Sequence, residues 1–163
     1  MLFMKTIFSI LLIFLNVAVY AQTFRFYRTE NIHNQLRLNT LTGEVLQIQN
    51  DGQTFFVHPA TTPNNEIPNR YELFPTQNMW TFILLDTFTG RLWQCQFSVR
   101  GDEYRASWII NRQVLSNTER RKFTIQPLTS MFQFHLINEE NGDMWRFQWS
   151  TRGSEYRWIE RFR

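Results

Sequence analysis

One cysteine, two lysines and no long apolar stretch beyond the first residues narrow what this 163-residue chain can be. Cys95 alone cannot close an internal disulfide, so a folded domain built from this sequence is held by packing and hydrogen bonds. The near-absence of lysine matters in the same way. Of the 17 basic residues only Lys5 and Lys122 are lysine, and no basic run exceeds Arg120-Arg121-Lys122. With 14 acidic residues against them, no nucleic-acid partner is expected, although the isoelectric point is near 9.4. No apolar run after Leu15 is long enough to cross a bilayer as a helix, which excludes a stable membrane span downstream. G-x-S-x-G, P-loop and dinucleotide fingerprints are all missing. His33, His58 and His135 share no metal-ligand spacing with one another or with Cys95, so neither metal nor cofactor is expected.

What the sequence does contain begins with an address. Lys5 precedes the apolar run Ile7–Leu15, and Val19-Tyr20-Ala21 places small residues at the −3 and −1 positions of a signal-peptidase site. Residues 1–21 therefore read as a cleaved signal peptide. The mature chain, 22–163, is expected in the periplasm or outside the cell, as one domain with room for a core.

The mature chain repeats itself. Tyr71–Ala106 aligns without a gap onto Phe123–Trp158, matching Gly90 to Gly142, Trp93 to Trp145, and Tyr104-Arg105 to Tyr156-Arg157. A third, upstream copy matches Leu38, Gly43 and Gln47 to Leu85, Gly90 and Gln94. The copies run over about 24–59, 70–116 and 122–163, with a Pro- and Asn-rich joint at Ala60–Asn69. Repeats of this length mark a supersecondary unit that cannot bury its apolar face alone.

Within each copy the apolar period is two. Trp93, Cys95 and Phe97 alternate with Gln94, Gln96 and Ser98, and Trp145, Phe147 and Trp149 alternate likewise. That is a strand with one buried face. Trp80–Leu85 is apolar on both faces, as a more central strand would be. Between such strands lie Asn39–Gly43, Asp86–Gly90 and Asn138–Gly142. The opening Asn or Asp can accept from amides two residues on, and the closing Gly43, Gly90 or Gly142 can take positive φ, which is hairpin chemistry. Asp86 could be a catalytic carboxylate, but Asn39 and Asn138 fill its slot and cannot act as bases, so it reads as a turn cap.

Another turn at Arg100–Asp102, or Arg152–Ser154, leads to a strand expected to begin at Tyr104 or Tyr156. Four strands per copy predict an all-β fold of about twelve strands, a pseudo-threefold β-trefoil, with a small closed barrel or sandwich as the alternative. Three copies are too few for an ordinary propeller. The string Leu84-Leu85-Asp86-Thr87-x-Thr89-Gly90-x-x-Trp93-Gln94 resembles a repeat of small exported bacterial proteins of unassigned function. The resemblance implies an exported repeat β-protein and no particular activity; copy one departs from it, with Leu46 in the tryptophan slot.

The candidate binding surface is Tyr104, Arg105, Trp108, Tyr156, Arg157 and Trp158, since Arg beside Tyr and Trp is the composition of interface hot spots. The plainer reading of Glu103/Arg105 and Glu155/Arg157, and the one the i,i+2 spacing favours, is a same-face pair along a strand. Glu139-Glu140 and Asp102-Glu103 fall in turns and make no glycosidase dyad. These readings lead to an exported non-enzymatic protein that binds a protein partner, such as an inhibitor or immunity protein. The alternative is a carbohydrate-binding module, and copy one's lack of Trp leans toward the interface.

Overall fold

Period-two patterning separated by Gly-closed turns dictates hairpins, and each copy builds a four-stranded antiparallel meander. In a computed structural model, which describes residues 23–61, 67–112, 114 and 122–162, copy one forms β1 (Phe24–Arg28), β2 (Asn34–Asn39), β3 (Val45–Gln49) and β4 (Thr54–His58). Copy two forms β5 (Tyr71–Pro75), β6 (Thr81–Asp86), β7 (Arg91–Gln96) and β8 (Ala106–Asn111). Copy three forms β9 (Phe123–Pro127), β10 (Gln133–Asn138), β11 (Met144–Gln148) and β12 (Trp158–Arg161). The expected signal peptide, residues 1–21, lies outside the described residues, as do 62–66 of the joint. Among the described residues no helix is long and apolar enough to cross a membrane.

The strands pair only within their own copy, giving three separate four-stranded sheets. The all-β expectation and its three like units are met, and a closed barrel is not formed. Two apolar cores hold the sheets together. Leu36, Leu38, Val45 and Val57 of the first sheet meet Leu73, Phe82, Leu84, Trp93 and Cys95 of the second. Ile83, Leu85, Leu92 and Ile110 of the second meet Ile125, Phe134, Leu136, Trp145 and Phe147 of the third. Alternate residues of β6 thus enter different cores, and all six of its residues are buried. The two-faced burial expected of Trp80–Leu85 is met in β6, whereas the single buried face expected of β7 is not: Gln94, on the polar side of its alternation, has no exposed surface because the third sheet covers it.

The Asp/Asn-to-Gly loops close as the sequence suggested. The amides of Gly43, Gly90 and Gly142 donate to the carbonyls of Asn39, Asp86 and Asn138 at 2.8–2.9 Å, and all three glycines have φ between +69° and +79°. The side chains of Asn39, Asp86 and Asn138 accept from the amides of Leu41, Phe88 and Glu140 at 3.0–3.1 Å. Asp86 does more than cap: Arg70 donates to its two carboxylate oxygens at 3.0 and 2.7 Å, and Thr89 adds a third bond. β4 and β8 each carry a bulge at equivalent points, opposite Val45/Leu46 and Leu92/Trp93, and the residues there, Val57 and Ile110, are buried.

One boundary differs from expectation. Tyr104 and Tyr156 do not begin strands; they close single 3-10 turns, Asp102–Tyr104 and Ser154–Tyr156, with β8 and β12 starting later. The Tyr104 amide donates to the Gly101 carbonyl and Arg105 to the Asp102 carbonyl, so the chain is wound where the sequence pattern read as extended. Glu103 and Arg105 are consequently not strand neighbours, and the ion partner of Arg105 is Asp102.

Candidate functional site

The six residues named from the sequence have different surroundings and do not form one surface. Arg105 and Arg157 are largely turned inward, and each joins its sheet to the preceding one. Arg105 Nε donates to Gln47 Oε1 of copy one at 2.8 Å, and its guanidinium lies 3.8 Å from the Phe55 ring centre. The same Gln47 oxygen accepts from the Ser98 amide at 3.3 Å. Copy three repeats this against copy two: Arg157 Nε donates to Gln94 Oε1 at 3.1 Å, the Ser150 amide donates to the same oxygen at 3.1 Å, and Arg157 lies 4.9 Å from the Trp108 ring centre. Amide acceptor, aromatic platform and arginine form an interlock used twice. The reading of Arg105 as a free surface hot spot is therefore corrected, since its side chain is only 6% exposed. In copy three the acceptor slot is Arg146, which pairs with Glu160 and lies 5.4 Å from the ring centre of Trp158, so Trp158 sits on the outer face of the third sheet.

The two arginines differ in one respect. Arg105 also pairs with the carboxylate of Asp102. The position equivalent to Asp102 in copy three is Ser154, and among the described residues no carboxylate pairs with Arg157. Burial pulls the Arg157 guanidinium below its ordinary pKa, with Glu155 opposing from a distance. The Glu155 carboxylate occupies the space a side chain on Gly153 would take.

Tyr104 and Tyr156 face solvent, 46% and 42% exposed, at the end of the sheets where the β1–β2-type and β3–β4-type loops converge. A cavity of about 350 Å³ lies there in copy two, lined by Trp80, Gln96, Arg100 and Tyr104 and reaching Thr151 of copy three. A second, of about 370 Å³, lies between copies two and three, against Gln96, Trp108, Ser150, Arg152, Ser154 and Arg157. A third, of about 220 Å³, repeats the first in copy three, with Phe132, Gln148, Arg152 and Tyr156. Shared walls at Gln96, Thr151 and Arg152 make these a single row. Gln96 and Gln148 are fixed in it by donating to the carbonyls of Tyr104 and Tyr156, each at 3.1 Å. The row offers aromatic faces, amides, hydroxyls and arginines, and no carboxylate among its lining residues.

A second surface, missed from sequence, is the outer face of the first sheet. Strand pairing sets Phe26, Arg37, Leu46 and Phe56 in one row across it. Phe26 is 56% and Phe56 70% exposed, and the Arg37 guanidinium covers the neighbouring Phe24 at 4.9 Å. By alignment Arg37 and Leu46 occupy the slots of Leu84 and Trp93, which in copy two pack onto the preceding sheet. Copy one keeps most of the apolar character of that face, and among the described residues no sheet lies on it.

Buried chemistry elsewhere is quiet. Cys95 sits in the first core with no exposed surface, and burial pushes its thiol far above the usual range. His58 Nδ1 is 2.7 Å from Ser107 Oγ, a serine–histidine contact between the first two sheets. Burial lowers its pKa to about 4, and among the described residues Nε2 has no hydrogen-bond partner, while the Nδ1 contact ties the first two sheets together. No protein-family model, curated protein or solved structure matches this chain.

Proposed function

We propose that this chain is an exported, non-enzymatic binding protein that works through a protein–protein interface, in the manner of an inhibitor or immunity protein. The observation that carries this reading is the outer face of the first sheet, where Phe24, Phe26 and Phe56 stand exposed around Leu46 and Arg37. Contiguous apolar surface of this kind on a soluble domain marks a contact region, and aromatic residues with a central arginine are the side chains that dominate such contacts. In copies two and three the slots equivalent to Phe24, Phe26, Arg37 and Leu46 are filled by core residues, while that of Phe56 stays exposed as Ile109 and Arg161. Most of the face therefore has the chemistry of one that receives another apolar surface.

The test is capture from the native envelope by the mature chain, compared with a Phe26→Asp/Phe56→Asp variant. Both substitutions are on exposed side chains, so melting temperature should change little. The reading expects one stoichiometric partner protein, held by the parent and released by the variant. Identical retention by both would remove this face from consideration. The cavity row favours a second reading, a carbohydrate-binding module, because half-exposed tyrosines among amides and hydroxyls suit a sugar ring.

A further inference from the structure

We propose that the cavity between the second and third sheets is a binding site for the carboxylate of a sugar acid, such as a uronate unit of an acidic glycan, with Arg157 as its cationic anchor. The inference stands on the comparison of two copies of one arrangement and does not depend on the first-sheet interface. In copy two the interlocking arginine has a full set of partners: Gln47 on Nε, the Phe55 ring against its plane, and the Asp102 carboxylate on a terminal nitrogen. Copy three keeps the amide partner, Gln94, and the ring, Trp108. It replaces the carboxylate with Ser154, and Arg157 opens onto a cavity of about 370 Å³. A guanidinium held flat by a ring and an amide presents its remaining N–H groups in a fixed direction, the geometry that recognises a carboxylate.

The surroundings say which carboxylate. A protein's Asp or Glu side chain would fill only a small part of the space, which falls within the ~300–1,000 Å³ of small-molecule sites. Ser154 and Thr151 line it with hydroxyls and Gln96 with an amide, the groups that bond to sugar hydroxyls. On either side the row continues into the Tyr104 and Tyr156 cavities, which repeat each other's aromatic, amide and arginine residues. Sheets packed face to face are about 10 Å apart, so these flanking sites recur along the row as units recur along a polymer. The Glu155 carboxylate is folded back over Gly153 and is not among the groups that line the cavity.

The experiment is titration of the mature protein with oligogalacturonate, followed by calorimetry and by the Arg157 Nε–H and Trp108 indole resonances. Binding that shifts both resonances is expected, and the carboxyl-reduced, neutral oligomer should bind at least about tenfold more weakly, the worth of one charge-assisted contact. The decisive variant is Ser154→Asp, which gives copy three the internal partner that Asp102 provides in copy two. It should lower affinity at least about tenfold while leaving melting unchanged or raised, which excludes unfolding as the cause. Arg157→Gln should lose affinity as well, and Phe26→Asp/Phe56→Asp should not. Equal binding by Ser154→Asp, equal binding of the neutral oligomer, or absence of binding would overturn the proposal. So would tighter binding of an oligo-aspartate peptide, which would assign the arginine to a protein carboxylate instead.

Discussion

Gly90 and Gly142 offer a controlled measurement of what the repeated turn costs to disturb. Both have positive φ, +69° and +77°, so alanine at either position meets the same backbone penalty, about 1–2 kcal/mol. Their surroundings differ. A Cβ on Gly142 has nothing within 4 Å among the described residues, whereas one on Gly90 would lie 2.5 Å from Val114 Cγ2 and 3.4 Å from atoms of Leu136 and Phe123. Overpacking of that kind adds about 1–3 kcal/mol. Gly142→Ala should therefore lose about 1–2 kcal/mol in urea unfolding and Gly90→Ala about 2–5 kcal/mol. Adding Val114→Ala to the Gly90 variant should recover part of the difference, because the closest clash is with a single methyl. Equal losses at the two glycines, or no recovery in the double variant, would refute the packing argument and leave only the backbone effect.

Three further outcomes are expected. Gln47→Leu strands the Ser98 amide and the Arg105 Nε–H between two sheets, and should cost about 2–4 kcal/mol by chemical denaturation. His58 has a folded-state pKa of about 4 against 6.5 for the free side chain. The unfolded chain therefore takes up the proton first, so stability is full above about pH 6.5 and falls as pH drops toward 4, by about 3 kcal/mol in total. His58→Gln should flatten that part of the stability–pH profile. Cys95, buried with its thiol pushed up, should react with alkylating reagents only through opening of the fold, so its labelling rate should follow urea concentration as global unfolding does.

Strands and turns were legible because their causes are local. Period-two alternation placed Trp93, Cys95 and Trp145 inward, and the Asp/Asn-to-Gly loops named their own conformation. The way the sheets meet was not legible, because the partners lie in different copies. Gln94 between Trp93 and Cys95 reads as solvent-facing, yet it is buried because a third sheet covers that side. Arg105 beside Tyr104 reads as surface, yet Gln47 and Phe55 enclose it. A signal did exist: Gln47 and Gln94 recur in the first two copies while Arg105 and Arg157 recur in the last two, the pattern of donor and acceptor passed between successive units. The 3-10 turns at Asp102 and Ser154 were hidden because their residues also suit a strand start. The apolar outer face of the first sheet was hidden because Phe24, Phe26 and Phe56 look like core residues in a sequence.

Burial of β6 on both sides removes the usual means of setting its alignment with its neighbours. In a half-buried strand, sliding by one residue moves every apolar side chain into water, and that penalty fixes the pairing. Sliding β6 would exchange Phe82 and Leu84 for Ile83 and Leu85, one apolar set for another, at little hydrophobic cost. The task passes to the polar groups at its ends: Asp86, gripped by Arg70, Thr89 and the Phe88 amide, and Thr76, whose hydroxyl donates to the Thr81 carbonyl at 2.9 Å. The ion pair between Arg70 and Asp86 thus acts as a locating pin more than as a source of stability. Asp86→Leu with Arg70→Met should leave a well-populated β-sheet whose NMR spectrum shows more than one set of signals for β6, and a single sharp set would mean that the turn alone aligns the strand.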